Sequence, residues 1–372
     1  MALDHVRDFF MRGAGQDPTA DPNVTLALFM TRWITHFCAP VFVLLAGISV
    51  GLMVRRRPAR DIARLLITRG VWLLFIEVVV LSTATTFSPG GIPELGGRTV
   101  VIMQVIWVIG ISMILLAGLQ WLGRPACLAI GAALILGHNL LDGLWPTSGP
   151  LDPAPLWVAA HAQMSHVFGP FLVVFFYPLV PWPGVMLLGF GASKIFELEP
   201  ARRKAALLTM GTVMTTAFVV LRALSRYGDP NGWQTQPAGP VSTVIDFLNT
   251  TKYPPSLLFL LMTLGPAALF AAVADRIAPP VRDVLATYGR APFAFYVPHF
   301  YLIHLLSIAL GLWQGFALRQ LLTVFLFYPE GYGVSLSMVY LVWIVVVVSL
   351  YPLCRWMSAL KSRRRDWWLS YV

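Results

Sequence analysis

Long apolar runs constrain this chain more than any other feature. About twenty consecutive apolar residues let an α-helix cross the hydrocarbon core of a bilayer, and runs of that length recur from Trp33 to Leu350. Only 12% of the 372 residues are charged, while 57% are hydrophobic; soluble domains carry about 25% charged residues. The chain therefore reads as an all-α polytopic membrane protein. Its thirteen Trp and eleven Tyr suit anchoring at the membrane interfaces.

Nine spans are expected, near 33–54, 66–87, 99–122, 125–144, 170–197, 205–224, 254–274, 290–313 and 335–355. The segment 170–197 carries Pro170, Pro178, Pro181 and Pro183, and proline interrupts the helical hydrogen-bond ladder. It is expected to be broken or re-entrant, a backbone tolerated at membrane depth only where protein buries it or water reaches it. Residues 1–11 are too short and too polar to span, and read as the end of a first helix whose first half is missing. Residues 356–372 read as a basic cytoplasmic tail on a single transmembrane domain covering 1–372.

Charge sets the expected orientation. Placing the segment after the first span inside gathers most of the 27 Lys and Arg there, among them Arg55, Arg56, Arg57, Arg202, Arg203, Lys204, Arg363 and Arg364. Basic residues collect on the cytoplasmic side, which leaves the N-terminus outside and the C-terminus cytoplasmic. The net charge of +10 thus reflects topology and contact with lipid headgroups rather than nucleic acid. Three Cys, none in a C-x-x-C arrangement, give neither a disulfide framework nor a zinc pattern, and no metal is expected. The first ten residues lack a basic region followed by an apolar one, so no cleavable signal peptide is expected.

Ionisable groups near membrane depth are costly and mark functional candidates. They cluster towards the outer half. His5, His36, His138, His161 and His166 fall at outer helix ends or in outer loops, as do Asp4, Asp142, Asp246 and Lys252. His299 and His304 lie on the eighth span. Histidine is the usual general base near neutral pH. Each candidate also has a structural reading. His5 can be a surface residue, and Asp4 at i−1 does not face it on a helix. His36 can bond backbone at the start of a span. His138 and Asp142 share a helix face at i,i+4, so one intrahelical hydrogen bond explains them as well as a site does. His299 follows Pro298 and can satisfy a kink. Glu77 is expected to have a structural partner.

Several stretches together carry a resemblance: "TRWITHFCAPVFVLLAGISVGL" (31–52), "MQVIWVIGISMILLAGL" (103–119), "LILGHNLLDG" (134–143), "PLVPWPGVMLLGFG" (178–191), "FLNTTKYPPSLLFLLMTLGP" (247–266) and "YGRAPFAFYVPHFYLIH" (288–304). In this order the chain resembles the heparan-α-glucosaminide N-acetyltransferase-like family of transmembrane acyltransferases. The tail "CRWMSALKSRRRDWWLSYV" fits a bacterial branch of largely unassigned substrate.

The resemblance implies a multi-helix enzyme of the bacterial inner membrane. Acetyl-CoA from the cytosol donates its acetyl group to an amine or hydroxyl of a glycan on the far side. Membrane lipids and the glycan are the implied partners. Asp4, His5 and Arg7 match the outer end of the family's first helix; Gln104, the pair Asn249 and Lys252, and His299 match further family positions. The base is then His5, with Asp4 beside it, or His36. Asn139, Asn249 and Lys252 are candidates to hold the oxyanion or the acceptor, with His138, Asp142, Gln104 and His299 on the acceptor side. Arg282 and Arg290 are candidates for the coenzyme A phosphates. The competing readings are a transporter or export component for a glycan or small solute, and an inactive acyltransferase relic.

Overall fold

The computed structural model describes residues 1–13, 24–88, 90–146, 149–364 and 366–371. Its helices are α1 (Ala2–Phe10), α2 (Leu26–Thr35), α3 (Cys38–Met53), α4 (Ala59–Phe75), α5 (Ser82–Thr86), α6 (Val105–Leu119), α7 (Gly123–Gly137), α8 (Trp182–Ala192), α9 (Pro200–Leu224), α10 (Pro240–Leu248), α11 (Leu257–Val273), α12 (Pro279–Arg290), α13 (Pro292–Trp313), α14 (Leu318–Leu321) and α15 (Leu336–Arg363). Three short strands accompany them: β1 (Thr99–Met103), β2 (Met164–Phe168) and β3 (Phe171–Phe175). The chain divides into two compact units, one of Met1–Thr35, Val78–Val101 and Ile277–Val372, the other of His36–Glu77 and Ile102–Arg276.

Seven continuous helical stretches among the described residues are long and apolar enough to cross a membrane, not nine. Two departures account for the difference. Val105–Leu144 is continuous in the chain but contains both α6 and α7, which meet at Gly123, whose φ is +83°. The segment 170–197 holds no spanning helix. It begins as β3, which pairs antiparallel with β2 in the register Ser165 to Val174, and continues as α8, only 11 residues long. The strand residues Leu172, Val173, Val174 and Phe175 are buried. The break expected of this proline-rich segment is present; hydropathy alone does not separate its short buried strand from its helical part.

Glycines set the helix packing in the unit built on α3, α4, α6–α9 and α11. Lipid gives helices no hydrophobic reason to associate, so small residues that allow close backbone approach become the contact points. Gly47 of α3 lies on Met186 and Phe190 of α8, and Gly51 lies on Ser193, so these two helices run parallel. Gly131 of α7 lies on Gly184, and Gly191 on Leu128, so α7 and α8 run antiparallel. Gly70 of α4 meets Gly110 of α6, and Gly211 of α9 meets Gly265 of α11.

The bundle has two distinct ends. At one, Arg124 pairs with Glu197 at 2.9 Å and donates to the Gly51 carbonyl, while Gln120 donates to the Ala59 carbonyl at 3.2 Å. At the other lie His36, the end of α7, the start of α11 and the 225–256 connection. Glu77 is fully buried and has the structural partner expected of it. Its carboxylate accepts the Trp107 N–H at 2.7 Å, with the backbone amides of Gln104 and Ile106 close by. It thereby serves an otherwise orphan amide at the start of α6. A π-helical turn, Ile76–Leu81, follows α4 at this point.

In the other unit, α1 docks its apolar face. Val6, Phe9 and Phe10 share a core with Ile303 of α13 and with Val339 and Val346 of α15. The Tyr332 hydroxyl donates to the Phe9 carbonyl at 2.9 Å, and Val334 N–H donates to the Phe10 carbonyl at 2.8 Å.

Candidate functional site

The densest group of chemically capable side chains lies where α7 ends. The helix tightens into a 3-10 segment over His138–Leu144, placing His138, Asn139 and Asp142 within two turns. The 3-10 turn Leu156–Ala160 delivers His161 to the same place. The His161 Nε2–H donates to Asp142 Oδ1 at 2.8 Å. The other Asp142 oxygen accepts from Asn139 Nδ2 at 2.8 Å. The His138 and His161 rings meet edge to face, 5.5 Å between centroids, and Trp145 closes over His161 at 5.4 Å. His138 and His161 are 3% and 2% exposed, and neither His138 nitrogen nor His161 Nδ1 has a hydrogen-bond partner among the described residues.

This cluster is tied to the start of α11. Asn139 Oδ1 accepts the Leu257 N–H at 2.9 Å. His36, also buried, sets its ring 5.3 Å from that of Phe259, two residues further on. His36 and Asn139 therefore flank the same first turn of α11. Tyr227 joins them, its hydroxyl donating to the Leu136 carbonyl. Burial, together with the nearby Asp142 carboxylate, pushes the Tyr227 phenol upward, so it stays a neutral donor at physiological pH.

The connection from α9 to α11 is pinned beside them by one buried arginine. The Arg222 guanidinium, in a side chain 1% exposed, donates to the carbonyls of Asn231, Asp246, Phe247 and Asn249 at 2.6 to 2.9 Å. Asp229 lies 3.9 Å away and accepts from the Thr251 backbone and hydroxyl and from the Ser256 hydroxyl. This frame fixes Asn249 through its carbonyl. It also fixes the turn carrying Lys252, whose ammonium lies 5.1 Å above the Tyr253 ring.

Other sequence candidates are placed elsewhere. Gln104 is the residue before α6, its backbone close to the Glu77 carboxylate. In the unit containing α1, His5 is half-buried, its ring 4.2 Å from Phe300 and 5.3 Å from His299. His299 is fully buried; it stacks on Phe295 at 5.2 Å and its Nδ1 bonds the Tyr296 carbonyl, three residues back on the same helix. The Asp4 carboxylate is gripped by Arg32 at 2.8 Å and Arg7 at 3.1 Å. Arg282 and Arg290 are exposed on α12.

Cations also converge within the bundle at the far end of α11. Arg203 and Lys204 of α9 and Arg276 line a cavity of about 240 Å³, with Asp275 at its edge, 3.7 Å from Arg203.

The sequence matches the model of the heparan-alpha-glucosaminide N-acetyltransferase catalytic family over residues 19–227, more than half of the chain. The chain belongs to this family. No curated protein and no solved structure matches it. The family is one of membrane acetyltransferases. Its matched segment in this member includes His36, Gln104, His138, Asn139, Asp142 and His161, and leaves out His5, Asn249, Lys252, Arg282, Arg290 and His299. His161 was named in the sequence only as an outer-loop histidine, because nothing local links it to Asp142, 19 positions earlier. The paired "GHN" and downstream "AHA" (160–162), each ending or beginning a short tight turn, is the signal that exists.

Proposed function

We propose that this acetyltransferase-family member moves the acetyl group of acetyl-CoA to an amine or hydroxyl of a glycan across a bacterial inner membrane. The family match is the observation that carries this reading. The layout of α11 supports it. The cationic cavity lies at one end and the imidazoles at the other, about 25 Å apart for a 17-residue helix. The cavity end carries the excess of basic residues, so it faces the cytoplasm and meets cytosolic acetyl-CoA. Arg203, Lys204 and Arg276 hold its phosphates there. The exposed Arg282 and Arg290 remain the second candidates for that role.

His36 acts as the base. It belongs to the matched segment, which His5 does not, and it sits against the α11 turn that Asn139 organises. The acceptor nitrogen or oxygen attacks the thioester carbonyl and His36 takes its proton. The tetrahedral oxyanion then collapses, the C–S bond breaks, and the coenzyme A thiolate leaves and takes up a proton. Asn249 and Lys252, in the connection pinned by Arg222, are the donors assigned to the acceptor or the oxyanion. Asn139 has both ends of its carboxamide engaged and serves by positioning.

The test is acetyl transfer by His36→Ala and His36→Gln variants that elute and melt like the parent. General-base catalysis is worth about 10²–10⁴-fold, and a loss of that size with little change in acetyl-CoA affinity is expected. Turnover near the parent's in both variants overturns the assignment.

A further inference from the structure

We propose that His138, Asp142 and His161 form a binding site for a divalent transition metal, with zinc the best match. One ligand atom from each residue lies within 4.8 Å of the other two. Two imidazole nitrogens and one carboxylate oxygen are a donor set that zinc accepts, with a fourth position left for water or another ligand.

His138 is the residue that a purely structural account leaves unexplained. The Asp142–His161 hydrogen bond gives His161 a reason to be there. Nothing does so for His138, which is 3% exposed with neither ring nitrogen bonded among the described residues. Burying a polar atom without a partner is costly. A metal ion bridging His138 and His161 turns one such lone pair into a ligand. The support a metal site needs around its first ligands is also built. Asn139 Nδ2 holds the free oxygen of Asp142, and Asn139 is itself fixed by the Leu257 N–H. Second-layer bonds of this kind orient a ligating carboxylate. Two of the ligands, His138 and Asp142, come from one short 3-10 segment; the third arrives from the 156–160 turn.

The inference does not rest on the acetyl-transfer reading, because its readout is metal content. The experiment uses the full chain purified without a polyhistidine tag, stripped with chelator, incubated with zinc and passed through a desalting column. Elemental analysis is expected to find about one zinc per chain. Folded His138→Ala and His161→Ala variants should lose it. Asp142→Asn keeps the shape of the side chain, and should weaken zinc binding by about 10-fold or more. Cobalt added in place of zinc should give the visible absorption of a four-coordinate ion in the parent and not in His138→Ala. Should the alanine variants fail to fold, the Asp142→Asn and cobalt measurements decide the matter. Substoichiometric zinc in the parent overturns the proposal, as does zinc retained undiminished by Asp142→Asn together with a folded histidine variant.

Discussion

The carboxamide oxygen of Asn139 accepts the backbone N–H of Leu257 at 2.9 Å, joining residues 118 positions apart. That amide is among the first of α11, which have no partner within their own helix; the next, of Leu258, donates to the Gly228 carbonyl at 2.9 Å, and the Ser256 hydroxyl accepts the one after it, Phe259 N–H, at 3.0 Å. The bond anchors the histidine cluster to a helix start. Asn139→Leu removes the acceptor and leaves a buried N–H unsatisfied, at a cost of about 1–3 kcal/mol. Thermal unfolding should show it as a lowered melting temperature. A melting temperature within error of the parent's contradicts the anchoring role.

Arg222 should be harder to replace. Its fork reaches four backbone carbonyls beside buried Asp229. Removing one partner of a buried ion pair costs about 3–5 kcal/mol, so Arg222→Met should expose the 228–256 connection to limited proteolysis. Arg222→Lys should not rescue it, since a single ammonium cannot reproduce the planar five-donor fork. Protease resistance equal to the parent's in the Lys variant contradicts this account.

The glycine contacts make a paired prediction. A methyl group on Gly47 would collide with the Met186 carbonyl, whereas one on Gly118 meets nothing within 4 Å. Gly47→Ala should destabilise by about 1–3 kcal/mol. Gly118→Ala, inside α6, should be neutral or stabilise by up to about 1 kcal/mol. Equal effects of the two substitutions on thermal stability contradict the close α3–α8 packing.

The cationic cavity predicts a kinetic signature. Hydrogen bonds to charged groups are worth about 1.5–3 kcal/mol. Arg276→Ala, or Lys204→Ala, should therefore raise KM for acetyl-CoA by about tenfold or more while kcat stays near the parent's, the mark of lost uniform binding. Arg282→Ala serves as the comparison. If it raises KM and the cavity variants do not, the phosphates bind at α12 instead.

Hydropathy and charge made most of the spans legible, because an apolar run such as 205–224 in a chain this apolar reads as a membrane-spanning helix. At 170–197 the four prolines made the break legible, but not that its first part is a strand, for a specific reason. The strand Phe171–Phe175 and the short helix Trp182–Ala192 are both apolar and adjacent, and hydropathy has no access to their pairing partners. At the candidate site, the sequence put His138 and Asp142 close together, but the 3-10 turn gives Asp142 to Asn139 and His161, and no intrahelical bond joins it to His138 among the described residues. The arrival of His161 was not legible, because it depends on how the 145–160 loop folds back. Nor does spacing reveal that Asn139 spends its carboxamide on Leu257 and Asp142, which makes it a support for its neighbours.

The central claim is acetyl transfer across a bilayer from a cytosolic donor. Purified protein in sealed proteoliposomes, with labelled acetyl-CoA supplied only at the face carrying Arg203, Lys204 and Arg276, tests it most directly. An amino sugar oligosaccharide is enclosed on the other side. The account predicts label appearing on the enclosed sugar, dependent on acetyl-CoA and sharply reduced in a folded His36→Ala variant. Intact, ligand-responsive protein that releases no label to any amine or hydroxyl acceptor, or that moves unmodified sugar across the bilayer instead, would contradict it.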